Sequence, residues 1–298
     1  MNDNGQMYII EPPQDESGAK MRASKTYQAT MTEFEYAGNY FKEHGTPWLS
    51  FYPRAVPILN IWPASQIGQS HHVFSKHGFW TCDPKGGTQH GCQSSEIVPI
   101  KVEAVASSPR VFVLEDLMSD FECSHIRELG EKVIHRSTVG DGGSAYQSKT
   151  RTSSHGWLQR SNSPILESIF GRFADAMGID DDKLHHGQNA EHLQVVRYED
   201  GQEYTPHHDF GYTGRPNQRF LTLLLYIDVP EKGGATSFPK AHGGRGIKVK
   251  PPRGSGVLFY SMMRDGNADD ASLHSGMPVI EGNKWICNLW VWDPKVHF

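Results

Sequence analysis

The succession of short strand-like segments after residue 191 constrains the fold of this chain more than any other feature. Turn-forming stretches such as "EDGQ", "EKGG", "PRGSG" and "EGNK" separate these segments. The segments read "HLQVVRY", "YTPHHDF", "RFLTLLLYIDV", "ATSFP", "IKVK", "GVLFYSM", "HSGMPVI" and "KWICNLWVW". Eight short strands that follow two helices in the sequence predict a jelly-roll barrel, and such a barrel leaves a pocket at its mouth.

Two amphipathic helices are predicted ahead of these strands. The first begins after Ser119, which forms a Ser-x-x-Glu capping box with Glu122. The second follows Ser163, with Pro164 in its first turn. The apolar residues predicted to face the core are Phe121, Ile126, Leu129, Val133, Ile134, Ile165, Ile169, Phe170 and Phe173. The predicted fold class is therefore mainly β with flanking helices, a double-stranded β-helix (jelly-roll) core with helices packed on one sheet.

Three regions are predicted along the 298 residues. Residues 1–25 are polar and are expected to be disordered. Residues 26–107 contain the strand-like segments "VPILNIW", "HHVFSKHGFWTCD" and "EIVPIKVEA", and we expect a small β-rich accessory region there. Residues 108–298 hold both predicted helices and all eight later strands. We expect this last region to be the main domain.

Composition excludes several classes of protein. The formal net charge is −5 and the pI is about 6.3, so we expect no nucleic-acid partner. No apolar run is long enough to span a membrane, and the first residues lack the order of a signal peptide. Cys82 and Cys92 flank the loop "CDPKGGTQHGC" and can pair if the protein is secretory, a question that the sequence leaves open. Cys123 and Cys287 are expected to be buried thiols.

The stretch "YTPHHDF" suggests a metal site. Side chains alternate along a strand, so His207 and Asp209 point to one side and His208 to the other. His274 opens a later predicted strand and is the candidate third ligand. Two histidines and one carboxylate on a jelly-roll form the facial triad of non-haem Fe(II) oxygenases. Lys284 follows one turn later, and on an adjacent strand it would place a cation in the same cavity.

Several motifs in order resemble the prolyl 4-hydroxylase family, alpha-subunit-like members of the Fe(II)- and 2-oxoglutarate-dependent dioxygenases. These motifs are "PRVFVLEDLMSDFEC", "SKTRTSS", "LQVVRYEDGQEYTPHHDF", "LTLLLYIDVPEKGGATSFP" and "LHSGMPVIEGNKWICNLWVW". The resemblance covers residues 109–298 and leaves out residues 1–107. It is specific for the peptidyl-proline subgroup, because the distal cation is Lys284 where several related subgroups use arginine.

The resemblance implies a role for each matching residue. His207, Asp209 and His274 would bind Fe(II), and Lys284 would bind the distal carboxylate of 2-oxoglutarate. Three aromatic residues would line the co-substrate pocket, and two residues of a covering loop would contact the peptide. The pocket residues are Tyr198, Tyr226 and Trp290, with Trp290 expected to pack rather than react, and the peptide contacts are Tyr146 and Arg151.

The implied reaction is hydroxylation of peptidyl proline to 4-hydroxyproline with release of succinate and CO2. The reaction consumes O2 and 2-oxoglutarate, and the resemblance implies ascorbate as well. Hydroxylation of another residue or of a small molecule stays open, as does a non-catalytic jelly-roll binding module. The family resemblance suggests the endoplasmic reticulum or secretory pathway, whereas the lack of a signal peptide suggests the cytoplasm. The partner is expected to be a proline-containing peptide or protein.

Overall fold

The computed structural model describes residues 33–45, 47–49, 57–83, 92–136, 138–139, 146–147, 152–211 and 218–293. The predicted disordered segment 1–25 lies outside these residues. The described α-helices α1–α4 are Glu33–His44, Asp120–Glu131, Pro164–Met177 and Ala241–Gly244. The described strands β1–β9 are Ser70–Ser75, Val98–Ser107, Arg110–Glu115, His135–Arg136, Thr138–Val139, Tyr146–Gln147, Ser154–Leu158, Leu193–Tyr198 and Tyr204–His207. Strands β10–β17 are Gln218–Asp228, Lys232–Gly233, Thr236–Phe238, Ile247–Val249, Gly256–Tyr260, His274–Gly276, Val279–Glu281 and Lys284–Asp293.

Two antiparallel sheets form the predicted jelly-roll. The larger sheet has nine strands in the order β1-β2-β3-β14-β10-β17-β8-β7-β4, and the smaller has the order β13-β12-β15-β9. Apolar residues of both sheets share one core cluster, in which the rings of Phe238 and Phe259 lie 5.1 Å apart. The predicted strand "HSGMPVI" is divided in two, because β15 pairs with β9 and β12 whereas β16 pairs with β11. The mainly β prediction is confirmed.

Helices α2 and α3 contribute to a second core cluster with residues of the nine-stranded sheet. The capping box of Ser119 and Glu122 begins α2, and the Ser163 side chain accepts a hydrogen bond from the backbone of Leu166 to begin α3. The four apolar residues predicted to face the core from α3 are all buried. One prediction in α2 is wrong, because the helix ends at Glu131 and leaves Val133 beyond it, 38% exposed.

The segment before residue 108 is part of the main sheet. Strand β2 pairs with β3, with Val102 opposite Leu114, and β1 pairs with β2. The predicted boundary at residue 107 therefore falls in the turn of a β-hairpin. The segment also contains helix α1, which its β-rich interpretation did not include. The division into an accessory region and a catalytic domain stays a prediction.

A buried ion pair connects this segment to the two core helices. The side chains of Arg172 and Glu122 are fully buried, and their nearest nitrogen and oxygen atoms lie 2.8 Å apart. Arg172 also donates to the backbone oxygens of His77 and Gly78, and Glu122 accepts from the backbone nitrogen of Trp80. A buried charge pair of this kind is costly to break, since removal of one partner leaves the other uncompensated. The pair therefore fastens residues 77–80 to α2 and α3.

Two of the four cysteines form a disulfide and the other two are free thiols. Cys82 and Cys92 form a disulfide with their Cα atoms 4.9 Å apart, which answers the question left open by the sequence. Cys123 and Cys287 are free and buried, as predicted. Among the described helices, none is both long and apolar enough to cross a membrane.

Candidate metal centre and co-substrate pocket

The three predicted ligands lie close together between the two sheets. One ligand atom from each of His207, Asp209 and His274 lies within 4.8 Å of the other two. His207 and His274 are direct cross-strand partners in β9 and β15, and pairing across the strands brings residues distant in the chain together. The Nε2 atoms of His207 and His274 lie 3.9 and 3.7 Å from the carboxylate oxygens of Asp209. The structure therefore brings together the three residues that the sequence predicts as ligands.

Both histidines are held in the same orientation by their own backbone. The Nδ1 of His207 lies 2.8 Å from the carbonyl oxygen of Thr205, and the Nδ1 of His274 lies 3.0 Å from that of Ser272. A carbonyl oxygen only accepts hydrogen bonds, so each Nδ1 carries the proton and each Nε2 keeps its lone pair. Histidines that bind metals are oriented in this way, with Nε2 directed at the ion.

The surroundings of Asp209 stabilise its ionised carboxylate. Its Oδ2 accepts a hydrogen bond of 2.6 Å from the Thr222 hydroxyl, and Arg219 lies 3.9 Å from its Oδ1. Burial alone would raise the pKa of Asp209, but the electrostatic influence of His274, Arg219 and His207 and the bond from Thr222 lower that pKa below its ordinary value. The carboxylate is therefore ionised at neutral pH and available for a cation.

His208 differs from its neighbour, as the alternation argument predicted. Its Nε2 lies 3.1 Å from the backbone oxygen of Asp270, and its side chain lines the cavity wall without joining the triad. The strand itself is shorter than predicted, since β9 ends at His207 and Asp209 lies just beyond it.

Lys284 is a buried cation inside the cavity. Its side chain is 1% exposed, and its Nζ lies 5.6 Å from the ring centre of Tyr198 and 5.3 Å from that of Tyr226. No carboxylate among the described residues lies within ion-pair distance of it. Burial, together with the charge of Lys250, lowers the pKa of Lys284 to about 7. A buried ammonium without an anionic partner is costly, so this position favours an anionic ligand.

The expected position of Lys284 on a strand adjacent to His274 is wrong. Lys284 begins β17, which pairs with β8 and β10 in the nine-stranded sheet, whereas His274 lies in the four-stranded sheet. The lysine therefore enters the cavity from the sheet opposite the one that carries the histidines. The lysine and the two histidines line the same cavity because the two sheets face each other across it.

The three predicted pocket aromatics have different surroundings. Tyr198 lies opposite Lys284 in β8 and lines the cavity. Tyr226 is fully buried behind the lining, with its hydroxyl 2.7 Å from that of Thr236, and burial raises its pKa above the ordinary value. Trp290 lines the cavity, and the guanidinium carbon of Arg219 lies 3.7 Å from its ring centre. Packing is the contact that the resemblance implied for Trp290.

The two predicted peptide contacts, Tyr146 and Arg151, stay predictions. Tyr146 belongs to the short strand β6, and its side chain lies outside the described part of the structure. Arg151 lies outside the described residues.

The cavity has a volume of about 410 Å³ and contains polar residues that the sequence prediction missed. The ring of Tyr204 stacks on that of His207 with their centres 3.7 Å apart. Arg219 lies beside Asp209 and is paired with Glu191 at 2.7 Å. The other missed lining residues are His155, Trp157, Gln194 and Asn288. Period-two alternation from Tyr198 and Lys284 would have found Gln194 and Asn288, since each lies an even number of residues away.

Comparison with known proteins agrees with this site. The model of the 2OG-Fe(II) oxygenase superfamily matches residues 193–292. Prolyl 4-hydroxylase 2 of Arabidopsis thaliana is 36% identical over 221 residues, which are 66% of this chain and 72% of that protein. Probable prolyl 4-hydroxylase 3 of the same plant is 38% identical over 210 residues, 63% of this chain and 71% of that protein.

Among solved structures, a viral collagen prolyl hydroxylase from Paramecium bursaria Chlorella virus 1, in complex with 2-oxoglutarate, is 27% identical. The match covers 61% of this chain and 95% of that chain, with a TM-score of 0.48. The curated relatives by themselves establish the relationship, because their identity exceeds 30% over more than two thirds of their length. The chain belongs to the prolyl 4-hydroxylase family of Fe(II)- and 2-oxoglutarate-dependent dioxygenases.

Proposed function

We propose that this dioxygenase hydroxylates proline within peptides through a metal site formed by His207, Asp209 and His274 and a co-substrate site anchored by Lys284. The observation that carries the proposal is one cavity that contains both a facial set of ligands and a buried ammonium without an anionic partner. The ligands are suited to a first-row divalent metal, and the ammonium is suited to a carboxylate.

The donor set fits ferrous iron. Two neutral imidazoles and one ionised carboxylate are the ligands used by non-haem Fe(II) oxygenases, and they leave coordination positions open. Bound iron, with O2 and 2-oxoglutarate, would supply the oxidation of an unreactive C–H bond to an alcohol with release of succinate and CO2. Ascorbate is the reductant that accompanies this chemistry in the family.

The side chains of this protein bind and orient the reactants. Thr205 and Ser272 fix the imidazole orientations through their carbonyl oxygens, and Thr222 fixes the carboxylate of Asp209. Lys284 would hold the 5-carboxylate of 2-oxoglutarate in a water-poor pocket, where a charge-assisted contact is strong. Such positioning is the protein's part of a reaction whose chemistry belongs to the metal.

The substrate side of the proposal is a peptide that contains proline. The relatives named above are prolyl 4-hydroxylases, and the loop with Tyr146 and Arg151 matches a substrate-covering segment of that family. Incubation of a proline-rich peptide panel with Fe(II), 2-oxoglutarate and ascorbate, followed by mass spectrometry, tests it. We expect a gain of one oxygen on proline, together with succinate, and neither product from His207→Ala. Peptide-independent succinate without hydroxyproline on any peptide would contradict the peptide proposal, and no succinate at all would indicate a binding module.

We also propose that the protein works in the secretory pathway. The disulfide between Cys82 and Cys92 supports this proposal, because disulfides persist in oxidising compartments. Alkylation of thiols before and after reduction, on protein taken from its own cell, tests the pairing. Recovery of Cys82 and Cys92 as free thiols, or a cytoplasmic location of the tagged full-length protein, would contradict the proposal.

A further inference from the structure

One row of side chains crosses the floor of the cavity at right angles to the strands. Trp157 in β7 pairs with Gln194 in β8, Gln194 pairs with Asn288 in β17, and Asn288 pairs with Leu224 in β10. All four side chains line the cavity. The Asn288 Nδ2 donates a hydrogen bond of 3.2 Å to the Gln194 Oε1. The floor therefore carries a pair of amides between an indole and an aliphatic side chain.

The amide of Asn288 has hydrogen-bonding capacity left over. A carboxamide offers two N–H donors and one oxygen acceptor, and the bond to Gln194 uses one donor. Among the residues that the structure describes, no second group binds this amide. The neighbouring side chains along and across the strands, Ile286 and Leu224, are apolar. Asn288 is half-buried at the cavity surface, so its remaining N–H is available to a ligand that enters the cavity.

The row is too long for the co-substrate alone. Its four residues lie on four neighbouring strands, so it extends over roughly 14 Å at about 4.8 Å per strand. 2-Oxoglutarate has a chain of five carbons and, in the proposed function, extends from Lys284 toward the triad. The outer part of the row ends at Trp157, which is 39% exposed and opens to solvent. The outer part is therefore left accessible to a second ligand.

We infer that Gln194 and Asn288 are positioning residues that hydrogen-bond the main chain of the substrate beside the reacting proline, with Trp157 packed on the following residue. This inference rests on the proposed function. Proline has no N–H, so a chain rich in proline presents carbonyl oxygens, and these need donors from the enzyme. The free N–H of Asn288 is such a donor, and an indole provides the flat apolar surface that suits a pyrrolidine ring.

The test compares four variants with wild type. Asn288→Leu keeps the approximate shape and removes the donors, and Gln194→Leu does the same for the partner. Gln66→Leu, which replaces an exposed amide before β1, is the matched control. The substrate is a peptide that the wild type hydroxylates, and poly(L-proline) is the probe for binding by calorimetry. We expect Asn288→Leu to raise the peptide KM about tenfold to a hundredfold, as for a lost hydrogen bond at a site where its partner stays buried.

Three further readouts separate positioning from a structural or co-substrate role. In Asn288→Leu the KM for 2-oxoglutarate should change far less than the peptide KM, because Lys284 and not the amide holds the co-substrate. The ratio of hydroxyproline to succinate should fall, because a misplaced peptide lets co-substrate oxidation proceed without hydroxylation. Asn288→Gln should partly restore the peptide KM, since it returns the donors.

The outcomes are distinguishable from failure of the proposed function. If the wild type hydroxylates no proline, the proposed function fails before any variant is compared. If the wild type is active and Asn288→Leu keeps its peptide KM and its affinity for poly(L-proline), the inference is overturned. It is equally overturned if the KM for 2-oxoglutarate rises in place of the peptide KM, because the amides then serve the co-substrate.

Discussion

Thr222 and Asp209 connect the two sheets of the jelly-roll at the metal site. The Thr222 hydroxyl, on β10 of the large sheet, donates a 2.6 Å hydrogen bond to the carboxylate of Asp209, which follows β9 of the small sheet. The ligand is therefore oriented by a residue on the opposite wall. Loss of an outer partner of this kind typically lowers metal affinity about tenfold to a hundredfold.

Substitutions at this connection should separate a ligand from its support. Thr222→Val keeps the shape and removes the donor, so we expect Fe(II) affinity to fall about tenfold to a hundredfold. His207→Ala removes a ligand and should abolish stoichiometric metal binding, whereas His208→Ala should retain it. Anaerobic titration with Fe(II), followed by calorimetry, measures all three. Metal binding lost in His208→Ala and kept in His207→Ala would reverse the assignment.

The N-terminal segment should be required for folding. Deletion of residues 1–107 removes β2, whose Ile100 and Val102 are fully buried. It also removes the backbone oxygens of His77 and Gly78, which accept hydrogen bonds from Arg172. The fragment would expose the apolar edge of β3 and leave backbone contacts of a buried charge unmade, which proteins tolerate poorly. We expect no cooperative thermal transition by circular dichroism. Deletion of residues 1–32 is the control and should retain the transition.

This expectation differs from the division at residue 107 that the sequence suggested. A strand pattern identifies β2 but not its partner, and the pairing of β2 with β3 is a long-range property that turns and periodicity do not encode. A fragment of residues 108–298 that melts sharply and binds Fe(II) would show that the hairpin and the buried ion pair are dispensable.

Elsewhere in the chain, too, local features could be predicted from the sequence and long-range contacts could not. Local signals identified the capping box at Ser119, the helix start at Pro164 and the relative directions of His207 and His208, because caps and alternation act over a few residues. The sheet that carries Lys284 could not be predicted, since the adjacency of β17 to β8 and β10 depends on the whole topology. The interaction of Arg219 with Glu191 could not be predicted either, because these residues lie on separate segments of the chain.

Asp269 should make the protein less stable at neutral pH than at pH 4. Burial raises its pKa to about 6, although it accepts a hydrogen bond from the backbone nitrogen of Ala271. Between the unfolded value near 3.8 and pH 6 the native state binds more protons, so stability is full below pH 4 and is lost as the pH rises through 6. Asp269→Asn keeps the acceptor and removes the charge. We expect it to raise the free energy of unfolding at pH 7.5 by about 1–3 kcal/mol.

Denaturant unfolding of both proteins at pH 4 and at pH 7.5 measures the difference. The two proteins should be nearly equal at pH 4, where Asp269 is protonated in the native state. A stabilisation of the same size at both pH values would mean that the effect comes from packing and not from the charge.

Lys284 should make the affinity for 2-oxoglutarate depend on pH. In the empty cavity its pKa is lowered to about 7 by burial and by the charge of Lys250, and a bound carboxylate favours its charged form. The dissociation constant of 2-oxoglutarate should therefore be constant below about pH 7 and rise about tenfold for each pH unit above it, with proton uptake on binding. Anaerobic calorimetry in buffers of different ionisation enthalpy measures both effects.

Variants of the two lysines distinguish this mechanism from a general effect of pH. Lys284→Ala leaves a buried carboxylate unpaired at a cost of roughly 3–5 kcal/mol, so the dissociation constant should rise at least about a hundredfold and lose its dependence on pH. Lys284→Arg should bind with intermediate affinity and be independent of pH up to 9, because a guanidinium stays charged. Lys250→Met should move the onset of the dependence to higher pH, since it removes one of the two causes of the lowered pKa. Normal affinity in Lys284→Ala would show that another cation holds the co-substrate, and Arg219, 3.9 Å from Asp209, would be the next residue to replace.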